Sequence, residues 1–413
     1  MATNKITLKR DLSLLLVTLY GLGNILGAGI YVLVGKVAGE AGYFAPLSFF
    51  IASIIAAVST FTYAELSSRY PVSAGVAVFL DEGFGLQKLS LLVGLMIACA
   101  GIVSSAAIAQ GFSGYVQVFF DIPRWLLITL MLLLLGGLAV WGISQSVRVA
   151  AVMTLAEVAG LLIIILVGVD QLPSLAQVYE QQQQLPQQDS VPQGFALLGV
   201  ASGAFLAFYA YLGFEDMVNL AEEVNDPQHT MPKAILLCMI ISMLLYAGVS
   251  MVSISVLTPA ELSRSAAPLA AVYTKATGQA PVVITVIGVF AIINGALIQI
   301  IMSSRLLYGM ACRGWLPQFL QKIYPVTRTP LNSTVLTVSL MIIFALSLPI
   351  VMLAEMTSYL VLVVFALANF ALIRIKQRYP EPDGVMAFSP WLPRLGFVTA
   401  VVFLLIELLS KFS

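Results

Sequence analysis

The sequence predicts an all-α integral membrane protein of about eleven transmembrane helices. Two observations predict it. The 413 residues are 60% hydrophobic and only 10% charged, against roughly 25% charged in an average soluble domain. Runs of about twenty mainly apolar residues, each long enough to cross a hydrocarbon core of about 30 Å as a helix, recur along the whole chain. Barrel strands would instead show alternating segments of about ten residues.

In chain order the runs lie near residues 12–35, 43–67, 89–117, 124–143, 147–169, 195–216, 233–257, 281–308, 332–349, 353–374 and 393–410. The first is too long for a signal-peptide core and has no small-residue cleavage site after it, so it is expected to remain as the first span. With the N-terminus cytoplasmic, 15 of the 20 Lys and Arg fall inside and only Lys36, Arg124, Arg264, Lys275 and Lys411 fall outside, which is the positive-inside pattern. Eleven spans then put the C-terminus outside. The net charge is zero and its signs are sorted by membrane side, so no basic face for nucleic acid is expected.

The chain reads as one membrane domain, 1–413. It divides into a first repeat over 12–169, an external Gln-rich loop over 170–194, a second repeat over 195–375 and an additional helix over 393–410. Residues 171–193 hold nine Gln and no Lys or Arg. Cys99, Cys238 and Cys312 lie in or beside apolar runs and suit packing better than a disulfide framework or a metal cluster. Neither a metal nor any other cofactor is expected.

Two spans concentrate helix-weakening residues at mid-depth. The first reads Gly21-Leu22-Gly23-Asn24-Ile25-Leu26-Gly27-Ala28-Gly29-Ile30; the sixth runs Phe208-Tyr209-Ala210-Tyr211-Leu212-Gly213-Phe214-Glu215-Asp216. A break inside a bilayer frees amides and carbonyls that lipid cannot satisfy, so it is tolerated only against a cavity or ligand. Gly23 and Gly27 alternatively form a small-xxx-small packing face. The paired interruptions stand five spans apart, the pattern of a 5+5 inverted-repeat transporter with its site at the midplane and discontinuous helices 1 and 6.

Four motifs then carry a resemblance. They are Gly27-Ala28-Gly29-Ile30, the run from Phe208 to Glu215, Glu222-Glu223-Val224-Asn225-Asp226-Pro227 continuing to Pro232, and Ser304-Arg305-Leu306-Leu307-Tyr308-Gly309-Met310-Ala311 followed by Gly314-Trp315-Leu316-Pro317. Together they resemble the amino acid-polyamine-organocation permeases, which implies a LeuT-like fold and secondary active amino-acid transport. Members of that superfamily commonly have twelve spans, one more than the eleven counted here. The resemblance implies that a substrate carboxylate meets amides around Gly27, Ala28 and Gly29, and that its ammonium meets carbonyls of Ile25, Tyr209 and Leu212. Half-helix ends suit both charges.

Asn24 either braces the first break or touches substrate. Tyr209 and Tyr211 are gate or pocket aromatics, or simple packing. The third span carries no acidic residue, which favours neutral amino acids, although Glu215 supplies a carboxylate for a cationic one. Glu157, in the fifth span, is an ionisable group at mid-membrane and so a default functional candidate. Three roles stay open for it: a titrating group for proton coupling, a Na⁺ ligand with Ser303 or Ser304, or a neutral hydrogen-bonding group. Glu65, Arg69, Arg305 and Arg313 are expected at cytoplasmic helix ends, snorkelling or forming ion-pair gates, and His229 in a solvated loop.

The function expected is proton-coupled uptake of neutral amino acids by alternating access at the cell membrane. An amino-acid exchanger or a cationic amino-acid carrier are the alternatives; a channel or a non-transporting sensor fits less well. The expected partners are a small amino acid, a proton or Na⁺, and the lipid bilayer, with no nucleic acid and the oligomeric state open. No nucleophile with a base, metal cluster or cofactor motif marks an enzyme.

Overall fold

The computed structural model describes residues 10–72, 75–117, 121–141, 143–172, 180, 193–265, 267–380 and 384–410; most of the Gln-rich segment lies outside them. The chain is helical, and the only β pairing among the described residues is two isolated bridges, Leu12 with Val224 and Tyr324 with Thr329.

The helices are α1 (Leu14–Leu26), α2 (Ala28–Ala41), α3 (Ala45–Arg69), α4 (Gly75–Phe84), α5 (Gln87–Gln117), α6 (Arg124–Trp141), α7 (Ile143–Gly168) and α8 (Gln193–Ala210), followed by a 3₁₀ segment at Phe214–Glu223. After it come α9 (Pro227–Val256), α10 (Pro259–Arg264), α11 (Pro268–Thr277), α12 (Val282–Cys312), α13 (Leu331–Ser347), α14 (Ile350–Arg378) and α15 (Trp391–Ser410). Among the described residues, eight helical stretches are long and apolar enough to cross a membrane, with α13 and Trp391–Ile406 as shorter apolar helices.

Polarity is distributed as a bilayer requires. On α3, Ser48, Ser53, Ser59, Thr60, Thr62 and Glu65 are buried while Leu47, Phe50 and Ile54 are exposed, because lipid solvates the apolar face and other helices must satisfy the polar one. Asn369 on α14 shows how: it accepts from Thr62 at 2.7 Å and donates to Ser59 at 3.0 Å. Small residues let backbones approach, as where Gly83 on α4 faces Ala371 on α14 and Gly94 on α5 faces Met310 on α12.

Both expected breaks are present. Ser13 caps α1, its hydroxyl accepting from Leu16 N–H at 3.4 Å. The helix stops at Gly27, whose φ of −39° and ψ of −135° leave the helical region, and α2 restarts at Ala28. α8 ends at Ala210, and Gly213, at φ +129°, adopts a backbone conformation nearly exclusive to glycine before the 3₁₀ segment begins. α1 is held by α7, α9 and α12, α2 lies along α8, and α5 packs on both α12 and α14. The two interruptions therefore meet in the middle of the bundle.

Candidate functional site

A cavity of about 60 Å³ opens where the two breaks meet α5, α12 and α14. The first break contributes Asn24, Ile25, Gly27 and Gly29; the second contributes Tyr209, Leu212, Gly213, Glu215 and Asp216. Across from them stand Gly101 and Ser104 on α5, Gln299 on α12 and Thr357 on α14.

Asn24, Asp216 and Gln299 form one network. Asn24 Nδ2 donates to Gly213 O at 2.9 Å and to Asp216 Oδ2 at 2.8 Å. Gln299 Nε2 donates to the same Asp216 oxygen at 2.9 Å and to Asn24 Oδ1 at 3.1 Å. Gly213 N–H donates to Glu215 Oε2 at 2.8 Å, and Ser104 Oγ lies 3.4 Å from the Tyr209 hydroxyl. Glu215 and Asp216 are both buried, and among the described lining residues none is Lys, Arg or His. Among the described residues, the hydrogen-bond donors to these two carboxyl groups are neutral. Asn24 lines the cavity and ties the first break to the second through Gly213 O.

The backbone ends are capped from α9. Tyr246, fully buried, donates its hydroxyl to Ile25 O at 2.6 Å and lies 2.9 Å from Ala210 O. These are terminal carbonyls of α1 and α8, groups that a helix cannot satisfy by itself. Ile25 O, expected from the resemblance to meet an ammonium, already accepts one bond here.

Tyr209 lines the cavity and faces α5, whereas Tyr211 is not among the lining residues and is buried against Tyr246 of α9, ring centroids 4.9 Å apart, because it follows the end of α8. Gly29 lines the cavity but also serves packing, since a Cβ there would sit 2.9 Å from Ala210 Cα. Ala28 begins α2.

Glu157 lies outside this cavity in a second buried cluster between α7, α12 and α1. Asn294 Nδ2 donates to Glu157 Oε1 at 2.7 Å and to Thr154 Oγ1 at 3.1 Å, and Gly23 of α1 lies so close that a Cβ would strike both Thr154 and Asn294. Tyr31 of α2 donates to the Glu157 backbone carbonyl at 2.9 Å. Among the described residues, Glu157 Oε2 and Asn294 Oδ1 have no hydrogen-bond partner.

Ser303 and Ser304 do not join Glu157. They follow its partner Asn294 by nine and ten residues on α12, about 13 Å or more along the axis. Ser304 Oγ instead donates to Ile301 O and accepts from Arg305.

The other charged residues singled out in the sequence lie outside the cavity. Arg305 is fully buried and pairs with buried Glu223 at 3.2 Å rather than snorkelling. Beside this pair the chain at Asp11 and Leu12 donates both N–H groups to Glu223 O. Glu65 accepts from Arg69, Lys376 and the Phe388 amide, all within 2.9 Å. Arg313 lies over the Trp315 ring, and His229 is exposed beside Asp226.

Two interrupted helices with a cavity between them, in a bundle of helices long and apolar enough to cross a membrane, have the architecture of a transporter. The chain belongs to the amino acid permease family, whose model matches residues 12–410. Among relatives, it is 28% identical to the methylthioribose transporter of Bacillus subtilis, covering 95% of this chain and 87% of that one. It is 27% identical to the branched-chain amino acid permease BcaP of the same organism, over 96% and 90%. The vacuolar cationic amino acid transporter 4 of Arabidopsis thaliana is 30% identical, over 92% of this chain and 65% of that one. A solved substrate-bound, outward-open Na⁺-coupled sialic acid symporter shares the fold, with a TM-score of 0.61 at 12% identity, covering 95% and 89% of the two chains. The chain is thus a multi-pass membrane transporter of amino acid permease type.

Proposed function

We propose that this permease takes up amino acids by alternating access and couples uptake to the entry of a proton carried by Glu157. The observation that supports coupling is the second buried cluster. A carboxyl enclosed in the bundle has a neutral amide, Asn294, as its hydrogen-bond partner and one oxygen with none. Protonation turns that oxygen from an orphan acceptor into a donor, and ionisable groups inside membranes usually mark ion or proton pathways. The cluster touches α1 through Gly23 and α2 through Tyr31, so the proton's presence bears on both halves of the first broken helix.

In the first cavity, amides at the start of α2 around Gly27, Ala28 and Gly29 suit the substrate carboxylate. Carbonyls of Tyr209 and Leu212, with Glu215, suit the ammonium. The proposed frame keeps the N-terminus cytoplasmic, repeats over 12–169 and 195–375, and eleven spans with α1 and α2 counted as one. Neutral amino acids remain the first substrate class. Cationic amino acids are a second reading, favoured by the buried Glu215 and Asp216 facing a cavity whose described lining holds no basic side chain.

The test is accumulation by the purified protein in proteoliposomes, with each of the twenty amino acids, driven by an imposed pH gradient or by an imposed Na⁺ gradient. Accumulation under the pH gradient alone is the expected result. Accumulation that requires Na⁺ overturns proton coupling, and accumulation of no amino acid overturns the substrate assignment.

A further inference from the structure

We propose that Tyr246 is a positioning residue that ties the two helix breaks together, so that its single hydroxyl proton biases the equilibrium between the transporter's alternating states. The argument starts from counting. The last carbonyls of α1 and α8 lose their helical partners where those helices stop, and lipid cannot replace those partners. At the end of α8, the N–H groups of Tyr211 and Leu212 return to Phe208 O and Tyr209 O. Ala210 O, and Ile25 O on α1, are left to a side chain from a third helix.

Tyr246 reaches both, at 2.6 Å to Ile25 O and 2.9 Å to Ala210 O. A phenol has one proton to donate, so two carbonyl oxygens share it. Its ring is fixed on both sides, with Tyr211 at 4.9 Å and an edge contact to Phe49 at 5.9 Å. The hydroxyl is therefore held in place while the carbonyls it serves belong to two different interrupted helices. Any state in which the end of α1 moves away from the end of α8 leaves one carbonyl without a donor. The bridge thus stabilises the conformer in which the two ends lie together.

Two substitutions act on this bridge in opposite directions. Tyr246→Phe keeps the ring contacts and removes the donor. Replacing Tyr246 by 4-aminophenylalanine supplies two N–H donors on the same ring, one for each carbonyl. A hydrogen bond gained or lost here changes the ratio of states by about three- to tenfold.

The experiment reads that ratio without using an amino acid or a proton gradient, so its outcome is independent of the role of Glu157. Ser104, which lines the cavity, is replaced by Cys in a background lacking Cys99, Cys238 and Cys312. The rate of its reaction with an impermeant methanethiosulfonate is measured from each side of the membrane. The expected result is that Tyr246→Phe shifts the ratio of the two rates at least threefold in one direction and 4-aminophenylalanine shifts it in the other, with both proteins monodisperse in detergent. If both variants leave the ratio within twofold of the parent, or both shift it the same way, the assignment is overturned. Should the Phe variant not fold, the 4-aminophenylalanine protein decides alone: an unchanged ratio overturns the proposal, and a ratio shifted with slower labelling from one side supports it.

Discussion

Gly213 is the position where one methyl group does most to the site. Its φ of +129° is outside the range that alanine adopts without strain, a cost of about 1–3 kcal/mol. The added Cβ would also lie 2.8 Å from Asn24 Nδ2 and 2.9 Å from the Asn24 backbone carbon. Asn24 cannot escape by a side-chain rotation alone, because its main chain is struck as well. Displacing it breaks the bond to Asp216, a hydrogen bond to a charged group worth about 1.5–3 kcal/mol. Together these give about 2.5–6 kcal/mol, divided between folding and substrate binding. If half is expressed in binding, apparent affinity in Gly213→Ala falls about ten- to a hundredfold, at about 1.4 kcal/mol per factor of ten. The control is Gly278→Ala: Gly278 is also at positive φ, +70°, but a Cβ there meets nothing within 4 Å, so transport should be unchanged. Counterflow exchange in proteoliposomes measures the KM, and thermal melting in detergent measures the folding share. A Gly213→Ala protein with a KM within twofold of wild type and an unchanged melting temperature refutes the reasoning.

Gly29→Val is expected to lower both melting temperature and exchange, since its Cβ meets Ala210 Cα at 2.9 Å. Gly27→Ala, whose nearest such contact is Gly23 O at 3.3 Å, should lower affinity severalfold with melting nearly unchanged. Equal melting losses in the two would place Gly27 in packing rather than in the site. Asp216→Asn removes charge at nearly constant shape; if cationic amino acids are substrates, their KM should rise at least tenfold more than that of neutral ones, and a uniform rise would argue against the cationic class. Glu65→Gln leaves Lys376 and Arg69 without their buried carboxylate, and breaking a buried ion pair costs about 3–5 kcal/mol. Denaturation in detergent should show that loss, and a shift under about 1 kcal/mol would mean the cluster is effectively solvated.

The helix breaks were readable because the chemistry that makes them is local. Glycines and aromatics crowd ten-residue windows that are otherwise apolar, and the backbone interrupts at Gly27 and Gly213 within those windows. The residues that complete the site were not readable, because each is a single polar side chain in a long apolar helix, aimed inward by the rotation of that helix in the bundle. Tyr246, Gln299 and Asn294 look in sequence like any isolated polar residue in a span, and only packing brings Asn294 to Glu157, 137 residues away. Asp216 stood in a motif beside Glu215 without a role, and its signal was the proximity of two carboxylates to a break. Ser303 and Ser304 share a helix with Asn294 but lie more than two turns beyond it, a separation that only the position of Asn294 beside Glu157 reveals. Tyr209 and Tyr211 were equivalent in sequence, but the helix ends between them, so one faces the cavity and the other faces Tyr246.

The most direct test of proton coupling is the Glu157→Gln variant, which mimics the protonated carboxyl and keeps the bond geometry with Asn294. In proteoliposomes holding an amino acid that wild type accumulates, the variant is assayed for exchange at equal pH and for uphill accumulation under a pH gradient. The account predicts exchange within a fewfold of wild type and no accumulation above equilibrium. Accumulation equal to wild type would contradict it.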